Sequence, residues 1–321
     1  MTSPELSVFI TSYNSELYIR EAINSILNQT YTDYELIIID NASTDKTVSI
    51  IKSYMDNRIH LVSHSQNIGI VGSRNQALDM AKGTFITFLD SDDIAHPQKF
   101  EKQLAFLKNN PEFGMVGSSV ILINGKGTET GRWKLNSRAG TIPAIMLFHN
   151  YFVNSAVMFR KALVKDFKYP EDLIIGEDYI LWFNLLQISK GINLPEYLTS
   201  YRQHSHSLIQ CNAEKKEAYD KKVYKHIFQK IGLQPTDEEY EIHISLKNDV
   251  PVNSMMQMRK TFAWLHKILK YSQNSSFIDK KKSPRVSMNR WLKVCYKSRN
   301  KPGLLIYGVY KILFNIKFFI N

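Results

Sequence analysis

Glu35-Leu36-Ile37-Ile38-Ile39-Asp40-Asn41-Ala42-Ser43-Thr44-Asp45 is the stretch that decides the fold class. Its first five residues are too short a run for a buried helix and rich in β-branched side chains. They read as a strand covered on both faces, as in a parallel sheet. Four polar residues and a helix follow at once. Ser43 or Thr44 serves as the cap of a helix over Asp45–Met55. Outward on both sides the same alternation repeats. Leu6–Ile10, Ile59–Ser63, Thr84–Leu89 and Met115–Ile123 read as strands. Glu16–Leu27, Ser73–Lys82 and Pro97–Lys108 read as helices, the second stopped by Gly83 and the third opened by Pro97. Alternating strands and helices predict a mainly parallel sheet with right-handed crossovers, flanked by helices. Ligands of such α/β sheets bind beyond the carboxyl ends of the strands.

The whole-chain numbers bound the rest. A chain of 321 residues fits about two domains. Hydrophobic residues at 44% exclude wholesale disorder. Two cysteines, Cys211 and Cys295, exclude a disulfide scaffold and a zinc ribbon and fit a reducing compartment. Met1–Glu5 lacks the basic start of a signal peptide, so export by that route is not expected. The charge is uneven: residues 1–220 carry a net −3 and residues 221–321 a net +14. A basic segment calls for an anionic partner, nucleic acid or membrane, unless it is a solvated helical surface.

Three strand ends hold the chemistry. Asp90-Ser91-Asp92-Asp93 puts three carboxylates in four residues, which repel one another unless a cation sits among them. Oxygen ligands of this kind suit Mg²⁺ or Mn²⁺ together with phosphate oxygens; a plain polar turn before the Pro97 helix is the alternative. Thr11-Ser12-Tyr13-Asn14-Ser15 has no G-x-G-x-x-G, which argues against a nicotinamide or flavin cofactor, and no P-loop occurs. Tyr13 offers an aromatic face to a base or packs in its loop; Asp40 and Asn41 offer hydrogen bonds to a base edge. Gly176-Glu177-Asp178 opens the apolar run Tyr179–Phe183, where a carboxylate is either a base of raised pKa or an ordinary helix N-terminal acid.

Taken in order, these pieces resemble the family 2 glycosyltransferases of the GT-A nucleotide-sugar fold, from about residue 6 to about residue 205. The elements are Ser7–Asn14, Ser25–Tyr31, Glu35–Asp45, Asn67-Ile68-Gly69, Ser73-Arg74-Asn75, Ala81-Lys82-Gly83, Phe88–Asp93 and Gly176-Glu177-Asp178. The resemblance implies a GT-A catalytic domain over 1–215, with a nucleotide half at 1–120 and an acceptor half at 121–215. It implies a nucleotide-sugar donor, UDP-linked by expectation, and Mn²⁺ or Mg²⁺ as cofactor. Asp90-Ser91-Asp92 matches the family's D-x-D: Asp92 is the implied metal ligand, and Asp90 and Ser91 lie at the donor. Thr11, Tyr13, Asp40, Asn41 and Arg74 match nucleotide-side positions. Asn41 replaces a second acid there and still accepts a hydrogen bond through its side-chain oxygen. For Arg74 an internal salt bridge is the alternative.

Asp178 matches the family's catalytic base, and the family is generally inverting. His204, in Tyr201-Arg202-Gln203-His204, matches a residue near the metal or diphosphate; a surface-loop histidine is the alternative. The Q-x-x-R-W motif of processive synthases is absent from this region, so single-sugar transfer to a glycan or lipid-linked oligosaccharide of surface polysaccharide synthesis is expected.

Residues 216–321 read as a basic helical region. Leu304–Ile320 is apolar nearly all round as a helix, marginal in length for a span and interrupted by Lys311 and Lys317. With its polybasic lead-in, a helix at 303–321 is expected to lie on the inner face of the cytoplasmic membrane. Packing on protein or in a homo-oligomer is the alternative. A sugar-phosphate nucleotidyltransferase would need a Gly- and Arg-rich first loop that Thr11–Asn14 does not supply. A nucleic-acid binder would leave the acidic cluster and Asp178 unexplained, so no specific nucleic-acid partner is expected.

Overall fold

The computed structural model describes residues 3–135, 139–205 and 207–298. Its chain order opens with β1 (Leu6–Ser12), α1 (Ile19–Leu27), β2 (Tyr34–Asp40), α2 (Thr47–Lys52), β3 (Ile59–Ser63), α3 (Gly69–Met80) and β4 (Phe85–Asp90). Then come β5 (Ile94–Ala95), α4 (Lys99–Asn109), β6 (Phe113–Asn124), β7 (Glu129–Trp133), α5 (Ile142–Ile145), β8 (Met158–Arg160), α6 (Glu177–Ile188) and β9 (Lys190–Gln203). Five more helices close the described chain: α7 (Leu208–Cys211), α8 (Lys216–Lys230), α9 (Asp237–Lys247), α10 (Met255–Ser272) and α11 (Ser283–Lys297). The chain divides into two units, Met1–Ala139 with Phe152–Ala213, and Gly140–Tyr151 with the chain from Glu214 onward.

In the first unit the sheet runs β3-β2-β1-β4-β8-β6-β9-β5, with β7 on β6. Strands β1 to β4 are mutually parallel where they pair, and β6 is parallel to β9. Short β8 is antiparallel and sits between β4 and β6, so those two strands do not touch directly. Every residue of β2 is buried, as a strand covered by helices on both faces must be. Glu35, one of its two acids, is tolerated because Ser7 Oγ and the Lys82 N–H donate to its carboxylate at 2.7 and 2.8 Å. Helix α1 turns Ile19, Ala22, Ile23 and Ile26 inward, the i, i+3, i+4, i+7 stripe of a helix on a core.

Three readings shift with tertiary context. Helix α2 spans Thr47–Lys52 rather than Asp45–Met55, and its N-cap is Lys46 without a side-chain cap; the Ser43 hydroxyl instead accepts from the Asn14 N–H at 2.8 Å, so neither Ser43 nor Thr44 caps it. Helix α3 begins at Gly69, four residues before the stretch whose apolar spacing marks it. The Asn41 side-chain oxygen accepts from the Ile68 N–H and that of Asn67 from the Gly69 N–H, both at 2.8 Å. These bonds satisfy helix-start donors that sequence spacing cannot supply. Gly83 stands beyond the helix end; a Cβ there would lie 2.6 Å from the Ser7 nitrogen, so close approach to β1 requires glycine. By its Gly125, Gly127, Gly131, Gly140 and Pro143 the stretch 124–150 reads as loops in the sequence, yet within it β7 forms a hairpin with β6. Its strand is polar and edge-like, with only Gly131 half-covered.

The second unit is helical. Thr236 and Glu239 form a reciprocal cap at the start of α9. The His243 ring lies among Phe148, Tyr224, Phe228 and Trp264, and Trp264 Nε1 donates to its Nδ1 at 3.2 Å. Burial, with Arg290 and Lys247 adding, lowers its pKa to about 3. Among the described residues no helix is long and apolar enough to cross a membrane. The segment 303–321, expected as a membrane-associating helix, lies outside the described residues.

Candidate active site

Parallel register brings the polar strand ends to one level. Ser12 stands opposite Asp40, and Thr11 opposite Asp90. The loop after β4 is then fixed from β9. The Arg202 backbone N–H donates to Asp93 Oδ1 at 2.7 Å, and its Nε donates to the Asp92 carbonyl at 2.6 Å. The same guanidinium reaches Glu21 at 2.5 Å and lies over the Tyr18 ring at 4.6 Å. One buried arginine therefore sets the backbone of the acidic loop.

The three acids meet different surroundings. Asp93 is buried; desolvation, then Asp92 and Asp90, push its carboxyl well above the usual range. Beneath it, Lys99 is fully buried and donates to the Ser155 carbonyl. Burial lowers its ammonium to about 7 against the pull of Asp93 and Asp90. Asp92 keeps its side chain 26% exposed and accepts or shares a hydrogen bond with His204 Nε2 at 2.8 Å. Desolvation and Asp90 raise its carboxyl, and His204 opposes them. Asp90 Oδ1 accepts from Arg74 at 2.8 Å and from Asn154 Nδ2 at 3.1 Å, while its N–H donates to Ser155 Oγ at 3.0 Å.

Arg74 carries the link onward. It is 4% exposed and its other terminal nitrogen pairs with Glu177, 103 residues further along the chain. Burial, with Asp178 beside it and Arg74 opposing, pushes the Glu177 carboxyl up to about 7. Asp178 is next, half-buried in the first turn of α6, its Oδ1 accepting from the Tyr179 N–H at 2.7 Å. Gly176, at φ +79°, turns the chain into that helix in a conformation that favours glycine. A continuous path of ion pairs and hydrogen bonds thus joins Asp90, Arg74 and Glu177 to the turn that bears Asp178.

The nucleotide-side candidates divide. Ser15 Oγ and Ser91 Oγ are 2.8 Å apart, which ties the β1 loop to the acidic loop. Tyr13 is 53% exposed in that loop, and Thr11 is half-buried at the end of β1. Asp40 is fully buried: Ser12 Oγ and the Ser43 N–H donate to its two oxygens at 3.3 and 3.1 Å. The Asn41 side chain spans to Asn67 and Ile68, as described for α3. Arg202, Glu177, Asn154, Ser155 and Lys99 belong to the site although the sequence reading gives none of them a role. The first two lie inside quoted motifs. No spacing ties the other three to Asp90.

Among the described residues no group of three or more His, Cys, Asp or Glu side chains could hold a metal ion. A pair is present instead. Mg²⁺ and Mn²⁺ sites are commonly octahedral, and Mg²⁺ takes one or two protein ligands at about 2.1 Å with the rest from water and phosphate. Adjacent ligands of such an ion stand about 3.0 Å apart. The 2.8 Å between Asp92 Oδ2 and His204 Nε2 fits that spacing.

Residues 7–167 match the model of glycosyl transferase family 2. An uncharacterised glycosyltransferase of Haemophilus influenzae is 32% identical over 246 residues, covering 72% of this chain and 76% of that protein. The Escherichia coli UDP-Glc:alpha-D-GlcNAc-diphosphoundecaprenol beta-1,3-glucosyltransferase WfgD is 34% identical over 208 residues, 63% of this chain and 72% of its own. In three dimensions, residues 1–349 of S. aureus TarS in complex with UDP-GlcNAc align with a TM-score of 0.57 at 18% identity, over 92% of this chain and 89% of that one. The fold is GT-A-like: a mainly parallel sheet flanked by helices, with further helices toward the C-terminus. With half the chain matched by the family model and a relative of this identity across most of its length, the chain belongs to glycosyltransferase family 2.

Proposed function

We propose that this chain is an inverting, metal-dependent transferase that moves one hexosyl or N-acetylhexosaminyl unit from a UDP-sugar to an acceptor hydroxyl. The acceptor class is a glycan or a lipid-linked oligosaccharide of surface polysaccharide synthesis, the class to which the name of WfgD points. The observation that carries the reading is the Asp90–Arg74–Glu177 path, which joins the acidic loop to the helix start that bears Asp178. Donor-holding and proton-accepting groups of one transfer reaction have to share such a frame.

In this reading Asp92 and His204 hold Mn²⁺ or Mg²⁺, and Asp90, Ser91, Thr11 and Tyr13 line the nucleotide side. Asp40, Asn41 and Arg74 shape that wall from behind. When bound, the cation neutralises charge that grows on the departing diphosphate. Asp178 takes the proton of the acceptor hydroxyl as its oxygen bonds to the anomeric carbon. The bond from that carbon to the diphosphate breaks on the opposite side, its electron pair leaving with UDP. One displacement inverts the anomeric centre.

A thermal-shift titration with UDP, GDP, CDP and dTDP, each with and without Mn²⁺, tests the donor half. UDP is expected to stabilise the protein only with the metal, and Asp92→Asn to abolish the effect. Stabilisation by another diphosphate, or by UDP equally without metal, would overturn the donor or the metal assignment.

The basic C-terminal segment supports a second element of the reading, attachment to an anionic membrane surface on the cytoplasmic side. Residues 251–321 contain one acid, Asp279, against 15 Lys and Arg. Removing residues 300–321 should release the protein from phosphatidylglycerol-containing vesicles in a sedimentation assay. A truncated protein that still sediments with them would end that idea.

A further inference from the structure

We propose that Trp133 and Tyr201 form the platform on which a sugar ring of the acceptor stacks, an inference that rests on the sugar-transfer reading above. Trp133 ends β7 and is 44% exposed, whereas Trp182, Trp264 and Trp291 are exposed by 1% or less. A single exposed apolar side chain is ordinary. This one is also held in a fixed orientation. Its ring lies on that of Tyr201, centroids 5.8 Å apart and planes at 27°. One indole face is thereby backed.

Tyr201 connects this ring pair to the reacting groups. Val120 of β6 pairs with both Trp133 and Thr199, and Leu122 pairs with Tyr201, so the three side chains share one face of the sheet. On that face Thr199 Oγ1 is 3.4 Å from the Ser155 carbonyl, and the Ser155 hydroxyl receives the Asp90 N–H. Arg202 in β9 holds Asp93 through its backbone N–H, and His204, just beyond the strand, meets Asp92. Burial raises the Tyr201 hydroxyl, and Asp93, Asp90, Asp92 and Asp178 all add to the shift. The ring pair is thereby tied, through Thr199 and Ser155, to the acidic loop that begins at Asp90.

The chemistry selects the ligand. A pyranose presents an apolar C–H face inside a rim of hydroxyls. A flat, backed indole buries the first, and nearby carboxylates and hydroxyls meet the second. An alkyl chain could cover the same indole without using the polar neighbours.

Acrylamide quenching reads this site directly, because Trp133 is the tryptophan open to solvent. The full chain, with UDP and Mn²⁺ present, is titrated with the methyl α- and β-glycosides of glucose, galactose, N-acetylglucosamine and N-acetylgalactosamine, and with octanol as the alkyl control. At least one glycoside is expected to shield Trp133. By calorimetry, Trp133→Ala should weaken that glycoside roughly tenfold and Trp133→Phe less. Quenching unchanged by every glycoside, shielding by octanol alone, or equal glycoside affinity in Trp133→Ala would overturn the platform. UDP binding in the same samples separates the two readings. If UDP fails to bind, the transfer reading falls as well. If UDP binds and Trp133 stays open, the platform alone falls.

Discussion

Asp178→Asn is expected to lower turnover by about 10²- to 10⁴-fold, the usual worth of a positioned general base, while leaving UDP affinity close to that of the parent. The amide has the shape of the carboxylate and can keep a hydrogen bond from the Tyr179 N–H through its oxygen. What it cannot do is take a proton from the attacking hydroxyl. Loss of one negative charge in the first turn of α6 costs about 0.3–1 kcal/mol at most, too little to unfold the helix. Single-turnover kinetics beside a calorimetric UDP titration separate the chemical defect from a binding defect. Near-normal turnover in this variant would remove Asp178 from the role.

Arg74→Met is expected to destabilise the protein by about 3–5 kcal/mol, because it strands buried charge instead of removing it. Asp90 and Glu177 both lose their cation, and Glu177 is 4% exposed. Arg74→Lys should recover little, since one ammonium does not reproduce a planar fork spanning two carboxylates. Adding Glu177→Gln to Arg74→Met should restore part of the loss, because the amide removes the stranded charge. Urea denaturation of the parent, Arg74→Met, Glu177→Gln and the double variant gives the coupling energy between positions 74 and 177. Additive effects, or an Arg74→Met protein as stable as its parent, would mean that the Asp90–Arg74–Glu177 path does not hold the site together.

These two residues differ in how much of their surroundings the sequence can state. Asp178 stands out because its motif is local: a glycine and two acids before an apolar run mark the helix start, in whose first turn Asp178 is half-buried. Arg74 is legible only as a candidate, since its two partners come from β4 and from α6 far along the chain. Asn154 and Ser155 were silent for the same reason, a polar pair inside an apolar stretch with no spacing that refers to Asp90. Arg202 sits in a quoted motif, yet its work is done on backbone atoms of Asp92 and side-chain atoms of Asp93 and Glu21, which no pattern of residue types records. Trp133 lay in a stretch read as loop, because a polar edge strand carries no alternation to distinguish it.

The sequence by itself determined the alternation of strands and helices, the buried character of β2, and the acidic and Glu-Asp motifs at the ends of elements. Each of those depends on neighbours within a few residues, through hydrophobic period, capping and turn chemistry. Only the tertiary structure decided that β8 separates β4 from β6, that His204 meets Asp92, and that Arg74 links Asp90 to Glu177. Those facts depend on strand order and on which side chains share a buried space. There desolvation obliges each charge to find a partner, whatever its distance along the chain.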